Sequence, residues 1–370
     1  MEKLVMDNLF GGVYKNKTVL LTGHTGFKGS WLALWLHQMG AKVIGYSLPA
    51  STEPNHILLL NLDIISIIGD IRDLDALNTT FATYKPDIVF HLAAQPLVYL
   101  SYEKPIETYE TNVMGTLKVF EACRANGVKA IVNITSDKAY ENREWVWGYR
   151  ENDPMGGYDP YSSSKGCADL LANSYRNSYF NPVDYKKSHN TLLASCRAGN
   201  VIGGGDWAKD RLMTDIMLSV SKGKKVSIRN PNATRPWQHV LEPLSGYLAI
   251  GQKLLEEKVE FGEAWNFGPS DEGSITVEEA LHHVKKHWDK IDYEINRDLY
   301  QFHEANLLKL DCSKAHIRLK WKDVWDSKTT FEKTVVWYKN FYENNTVGTI
   351  DDLNHYVADA KKKNMCWSKV

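Results

Sequence analysis

The stretch that most constrains this chain is TGHTGFKG at residues 22–29, which follows KTVLLT at 17–22 without a break. The β-branched apolar run predicts a buried strand, and SWLALWLHQMGA beyond it predicts a helix ending near Gly40. Between them Gly23, Gly26 and Gly29 stand in a G-x-x-G-x-x-G spacing. Glycine lets the backbone turn tightly, approach a pyrophosphate closely and pack a helix on a strand. The helix N-terminus adds free N–H groups and a partial positive charge. A strand–loop–helix unit of this kind predicts a dinucleotide site built from Gly23, Thr25, Gly26, Phe27, Lys28 and Gly29.

The rest of the chain repeats the alternation. KVIGYS (42–47), ISIIGDIRD (66–73), DIVFHLAAQ (87–95), KAIVNIT (129–135) and TLLASCRAGNVIG (191–203) each hold a strand. Helical patterns fall between them, one running to about Tyr84 and another from Glu110 to Gly127. Alternating strands and helices predict an α/β fold, a Rossmann-type doubly wound parallel sheet covered on both faces. The composition turns loop-rich and basic after about residue 200. We therefore expect a cofactor-binding domain over 1–200, a return to it over about 236–270, and a smaller C-terminal α/β substrate lobe in 201–370.

Composition excludes several classes. The chain has 370 residues, 43% hydrophobic and 24% charged, with a formal net charge of -1. That balance offers no nucleic-acid or membrane-surface footprint. No apolar run approaches the ~18 residues of a membrane span. The N-terminus has no basic region ahead of an apolar core, so no secretory signal is expected. Five scattered cysteines make no C-x-x-C pair, which argues against zinc and redox motifs and suits a reducing cytoplasm; Cys196, inside a strand, reads as core. His283 and His287 stand one helical turn apart without a third ligand, so a solvated helix face is expected there and no metal site. KGKK at 222–225 reads as a loop, and the tail DAKKKNMCWSKV as a frayed helix end.

Two short motifs carry reactive groups. YSSSK places Tyr161 and Lys165 four apart, on one side of a helix. A phenol keeps its proton to about pH 10; a neighbouring ammonium and a nicotinamide cation would lower that and make tyrosinate a base. Ser136, Asp137 and Lys138 follow the fifth strand, at the end where open α/β sheets hold their ligands. An acid and a base beside a hydride-transfer site suit elimination of water next to a carbonyl. The plain alternative is a turn in which Asp137 caps a helix and Lys138 faces solvent. In the second-strand loop GYSLPAS, neither an acidic residue nor an arginine stands where the adenosine ribose would be read, so NAD and NADP both stay open. Asp70 in GDIRD is placed to accept from an adenine amino group.

Through TGHTGFKGSWLALWL, GDIRD, HLAAQPLV, TSDKAY, YSSSKGCAD, RAGNVIGGGDWAKDRL, RPWQHV and WNFGP, the chain resembles the nucleotide-sugar 4,6-dehydratase branch of the extended short-chain dehydrogenases/reductases over about residues 10–345. GGGDWAKDR with RPWQHV resembles the members that act on CDP-glucose. Relatives often carry an acid pair where this chain has Asp137 and Lys138. The resemblance implies NAD as cofactor, held also by Ile71, Ala93, Ala94, Asn112, Thr135, Tyr161 and Lys165. It implies a nucleotide-diphosphate sugar as substrate, contacted by Gln95, Asn200, Arg211, Arg229, Arg235 and His239. It further implies that Tyr161 removes the C4 hydroxyl proton with Ser136 on the same oxygen, that Lys138 takes the C5 proton, and that Asp137 protonates the leaving C6 hydroxyl. A homodimer or homotetramer is implied through a bundle that includes the helix of Tyr161. A dehydratase for another nucleotide sugar and a 4-epimerase are the nearest alternatives, and a non-catalytic dinucleotide-binding regulator the distant one.

Overall fold

The computed structural model describes residues 6–228, 230–269, 274–296 and 307–369. Thirteen strands are seen among the described residues: β1 Thr18–Thr22, β2 Lys42–Ser47, β3 Ile65–Ile68, β4 Ile88–His91, β5 Ala130–Ile134, β6 Leu192–Ala198, β7 Val201–Ile202, β8 Val226–Ile228, β9 Thr234–Pro236, β10 Gln238–His239, β11 Ala264–Phe267, β12 Ser274–Thr276 and β13 Tyr293–Ile295. Seven form one parallel sheet in the order β11-β6-β5-β4-β1-β2-β3. Strands β4, β5, β6 and β11 are buried at every position, as a sheet covered on both faces requires. Strand β3, at the edge, alternates between half-buried and exposed.

The helices are α1 Phe27–Gln38, α2 His56–Leu60, α3 Leu74–Tyr84, α4 Val98–Glu103, α5 Pro105–Tyr109, α6 Thr116–Ala125, α7 Pro160–Ser178, α8 Leu212–Ser221, α9 Leu241–Leu255, α10 Val277–His287, α11 Ser327–Asn344 and α12 Thr349–Lys362. Side chains alternate across each strand, so the two sheet faces make two cores. Val19, Leu21, Phe90, Val132 and Ala194 join Trp31 and Trp35 of α1, Leu244 and Leu248 of α9 and Tyr356 of α12. Leu20, Val89, Ile131 and Leu193 join Leu77 of α3, Phe120 of α6 and Tyr175 of α7. A third core unites Met217 of α8, Ile228 of β8, Leu281 of α10 and Phe331 of α11. Cys196 is fully buried in the first core, and all five cysteines are unpaired.

One local reading is refined and one needs correction. The helix read from Glu110 to Gly127 runs unbroken to Ala125, with its first turn Glu110–Gly115 π-helical and α6 continuing from Thr116. The widened turn lets Asn112 bond Gln95, its Oδ1 accepting from the Gln95 N–H at 2.8 Å and its Nδ2 donating to the Gln95 carbonyl at 3.1 Å. The C-terminal tail is packed and not frayed, because Trp367 is buried and stacks on Phe10 with ring centroids 5.1 Å apart. Glu242 of α9 secures the preceding segment, accepting from the Val324 and Trp325 N–H groups at 3.0 and 2.7 Å and from the Tyr356 hydroxyl at 2.8 Å.

Candidate active site

Strand order reverses between β1 and β4, which opens a crevice at their carboxyl ends. A cavity of about 820 Å³ runs from there toward α8, β8 and the 203–211 loop. The glycine turn forms one wall. Gly23 has φ +80, and a Cβ on it would lie 2.8 Å from the Ala93 nitrogen; a Cβ on Gly29 would lie 2.1 Å from the Gly23 carbonyl oxygen. Helix α1 starts with no side-chain cap hydrogen bond, and Gly26, Phe27, Lys28 and Gly29 at its start line the cavity. The cradle and the open helix end fit a dinucleotide pyrophosphate.

Thr25, Gly26, Phe27, Lys28, Ile71, Ala93, Ala94 and Thr135 line this cavity beside Gly23 and Gly29. Asp70 lines it too, with its carboxylate held by Arg72 at 2.6 Å, and that guanidinium keeps the carboxyl below its ordinary range. Helix α3 is capped by Asp73, whose Oδ1 accepts from the Ala76 N–H at 3.0 Å, so Asp70 is not the cap. At the end of β2, Ser47 meets Thr25 hydroxyl to hydroxyl at 2.7 Å.

The reactive groups converge from two elements. Strand β5 ends at Ile134, and Ser136–Asp137–Lys138 turn at its mouth. The Ser136 hydroxyl accepts from the Lys138 N–H at 3.2 Å and donates to Asp137 Oδ1 at 3.0 Å. Helix α7 starts with Asp159 as cap, accepting from the Ser162 N–H at 2.9 Å, and Pro160 at its first position, both helix-start residues readable in the sequence. That start brings Tyr161 and Lys165 to the same cavity as Ser136, Asp137 and Lys138. Burial raises the Tyr161 hydroxyl to about 12, while Ser136 pulls it down. Burial lowers Lys165 to about 8, against the opposing charge of Asp169. Burial also raises the Asp137 carboxyl above its ordinary range, in spite of Lys138 and Lys28. Desolvation, with Arg211 and Lys165 nearby, lowers Lys28 to about 8.

A buried pair supports these groups from behind. Arg197 of β6 grips Asp169 of α7 through Nε and Nη2 at 3.0 and 3.1 Å, and the Thr135 hydroxyl donates to the same carboxylate at 2.6 Å. A second network starts at Thr22. Its hydroxyl meets His91 Nδ1 at 2.7 Å, and His91 Nε2 meets the Thr116 hydroxyl at 3.0 Å. Thr116 donates to the Asn112 carbonyl at 2.7 Å, Asn112 Nδ2 to the Ser164 hydroxyl at 2.9 Å, and Ser164 to the Tyr161 carbonyl at 2.7 Å. Asn112 thus reaches Tyr161 through bonds and does not itself line the cavity.

On the far side Gln95, Asn200, Arg211 and Arg235 line the cavity. The Gln95 amide is committed to its own loop and to α5, accepting from the Leu97 N–H at 2.5 Å and donating to the Thr108 hydroxyl at 2.9 Å. His239 is a correction: it is fully buried, is not part of the cavity wall, and lies edge-on to Trp325 and Trp31. Its strand β10 pairs with β7 and turns the ring into the core. Arg229 lies outside the described residues. His283 stacks on Phe331, and no group of three or more potential metal ligands occurs among the described residues.

The family model for GDP-mannose 4,6 dehydratase matches residues 20–335. The chain belongs to the GDP-mannose 4,6 dehydratase family. A curated relative, the CDP-glucose 4,6-dehydratase of Salmonella typhimurium, is 57% identical over 330 residues, covering 88% of this chain and 91% of the relative. Among solved structures, an epimerase from Methanothermobacter thermautotrophicus superposes with a TM-score of 0.77 at 25% identity, covering 92% of this chain and 96% of the other. A UDP-glucose 4-epimerase from Thermotoga maritima superposes with a TM-score of 0.74 at 21% identity, over 87% and 99%, and so shares the fold.

This member of the GDP-mannose 4,6 dehydratase family has site residues that sequence reading passed over. Asp206 binds Arg211 Nη1 at 2.7 Å, and His56, also on the cavity wall, bonds Ser30 at 2.7 Å and Thr349 at 2.9 Å. The triple glycine before Asp206 was the available signal for the first; for His56 no local pattern exists. Among the described residues no helix is long and apolar enough to cross a membrane.

Proposed function

We propose that this chain is an NAD-dependent hydro-lyase that converts CDP-D-glucose to CDP-4-keto-6-deoxy-D-glucose. The observation that carries the reading is the meeting of the Ser136–Asp137–Lys138 turn with Tyr161 and Lys165 in one cavity, all of them buried but the half-buried Lys138. A 4-epimerase needs the tyrosine and lysine alone; water loss also needs an acid and a base, and this turn offers both. The 57% identity to a CDP-glucose 4,6-dehydratase supports the nucleotide assignment. Gly23, Thr25, Gly26, Phe27, Lys28 and Gly29 would hold NAD, which when bound would supply reversible hydride exchange between C4 and C6 of the sugar. The chain does the rest. Tyr161, its charge favoured by Lys165, removes the C4 hydroxyl proton, and Ser136 holds that oxygen. The C4 ketone acidifies C5, Lys138 takes the C5 proton, Asp137, protonated further up the pH scale than a surface aspartate, gives its proton to the departing C6 hydroxyl, and Lys138 returns a proton to C5 as the hydrogen is restored at C6. Arg211 and Arg235 meet the diphosphate, whose oxygens suit the planar guanidinium fork.

Incubation with CDP-, dTDP-, UDP- and GDP-hexoses tests the reading. We expect the alkali-dependent absorbance of an enolised keto sugar from CDP-glucose. Turnover of another nucleotide sugar alone would overturn the nucleotide, and an epimer in place of a keto sugar would overturn the reaction. We further place the enzyme in the cytoplasm as a homodimer or homotetramer. Exposed Ile106, Met114 and Leu170, on or between α5 and α7, support burial of that face between copies. A monomer in sedimentation equilibrium would contradict it.

A further inference from the structure

We infer that Tyr338 is a positioning residue for nucleotide-sugar binding, acting through the 203–211 loop on Arg211. The inference rests on the reading of Arg211 as a diphosphate ligand. The loop GGGDWAKDR is pinned by aromatic side chains from two helices. Trp31 of α1 donates its indole N–H to the Gly204 carbonyl at 2.9 Å. Tyr338 of α11 donates its hydroxyl proton to the Asp206 carbonyl at 2.6 Å and accepts from the Asp206 N–H at 2.9 Å. The Trp207 indole N–H then donates to the Tyr342 hydroxyl, again on α11, at 2.9 Å. Both backbone polar groups of Asp206 therefore end on one buried phenol. Close approach is possible because a Cβ on Gly204 would stand 2.0 Å from the Trp337 ring; only glycine lets the loop lie against α11.

With its backbone fixed, Asp206 aims its carboxylate forward. Oδ1 accepts from the Ala208 N–H at 3.1 Å, and Oδ2 holds Arg211 Nη1 at 2.7 Å. One nitrogen of the guanidinium is thereby committed, and its charge acts on Tyr161 and Lys28 at the centre of the cavity. Tyr338 is thus linked through Asp206 to the cation, at the edge of the same cavity, with its hydroxyl committed to the Asp206 backbone. Trp337, Tyr338 and Tyr342 all lie beyond residue 335, where the match to the family model ends. The α11 part of the anchor thus lies beyond that match, whereas Trp31 lies within it.

The test compares Tyr338→Phe, Arg211→Ala and the double variant in the full-length enzyme. Calorimetry gives the Kd for CDP and, separately, for NAD; thermal unfolding gives Tm; steady-state assays give kcat and KM. Phe keeps the ring packing and loses both hydrogen bonds. We expect Tyr338→Phe to raise the Kd for CDP about tenfold, to raise KM with kcat little changed, and to leave NAD affinity as in the parent. The double variant should bind CDP no more weakly than Arg211→Ala alone. An unchanged CDP affinity in Tyr338→Phe would overturn the inference. So would a loss that adds fully to that of Arg211→Ala, or an equal loss of CDP and NAD affinity accompanied by a lower Tm. If Arg211→Ala itself binds CDP normally, the failure lies in the diphosphate reading, and the Tyr338 inference falls with it.

Discussion

Replacing Asp137 with asparagine isolates the step that separates a dehydratase from an epimerase. Asparagine matches aspartate in size, and its amide oxygen can keep the Ser136 hydroxyl bond that Oδ1 now makes at 3.0 Å. The side chain is buried, so the packing of the turn should persist. What disappears is the transferable proton. General acids contribute roughly 10²–10⁴-fold, about 3–5 kcal/mol of barrier, and the preserved geometry argues that the whole effect falls on water loss. The sign of the pH dependence follows from burial, which raises the Asp137 carboxyl. The parent's elimination rate should fall as pH rises through that raised value, and the variant should show no such limb. A raised carboxyl adds stability that is fully present below its unfolded value and lost as pH rises through the folded one. At neutral pH the asparagine variant should therefore be no less stable than the parent. In single-turnover stopped flow, the near-ultraviolet signal of the reduced cofactor should build up on mixing with CDP-glucose while the keto sugar forms slowly. Keto sugar at the parental rate would refute the reasoning and remove Asp137 from the acid role.

Two further outcomes follow from the same geometry. Tyr161→Phe should bind NAD and CDP-glucose normally and form no reduced cofactor, read by the same absorbance; a normal burst would remove the tyrosine from the first proton transfer. Arg197→Ala strands the Asp169 carboxylate beside Thr135 and should cost about 3–5 kcal/mol of stability, measured by urea unfolding; a loss below about 1 kcal/mol would show the pair to be replaceable.

The sheet and its ligand-binding end were legible because doubly buried strands read as unbroken apolar runs. IVFH and AIVNI leave no other placement, and the polar Ser136–Asp137–Lys138 after the second marks where the chain leaves the core. The glycine spacing and Tyr161–Lys165 were legible for the same reason: each compresses its chemistry into a few adjacent residues. What the sequence hid acts over long separations through single atoms. Tyr338 and Asp206 are 132 residues apart, and His56 and Thr349 are 293 apart, with no periodicity to join them. His239 misled because its neighbours in RPWQHV do belong near the cavity, whereas β10 turns its own ring inward. Trp367 misled because one apolar ring among lysines reads as exposed tail, although it completes the aromatic cluster of Phe10 and Trp35.

The most direct test of the central claim uses CDP-glucose deuterated at C4 in unlabelled water. If one cofactor takes the C4 hydrogen and hands it to C6 after the side chains of the fifth-strand turn have removed water, the product's methyl group must carry the deuterium, seen by NMR and mass spectrometry. Deuterium retained at C4, or absent from the methyl group, would contradict the account.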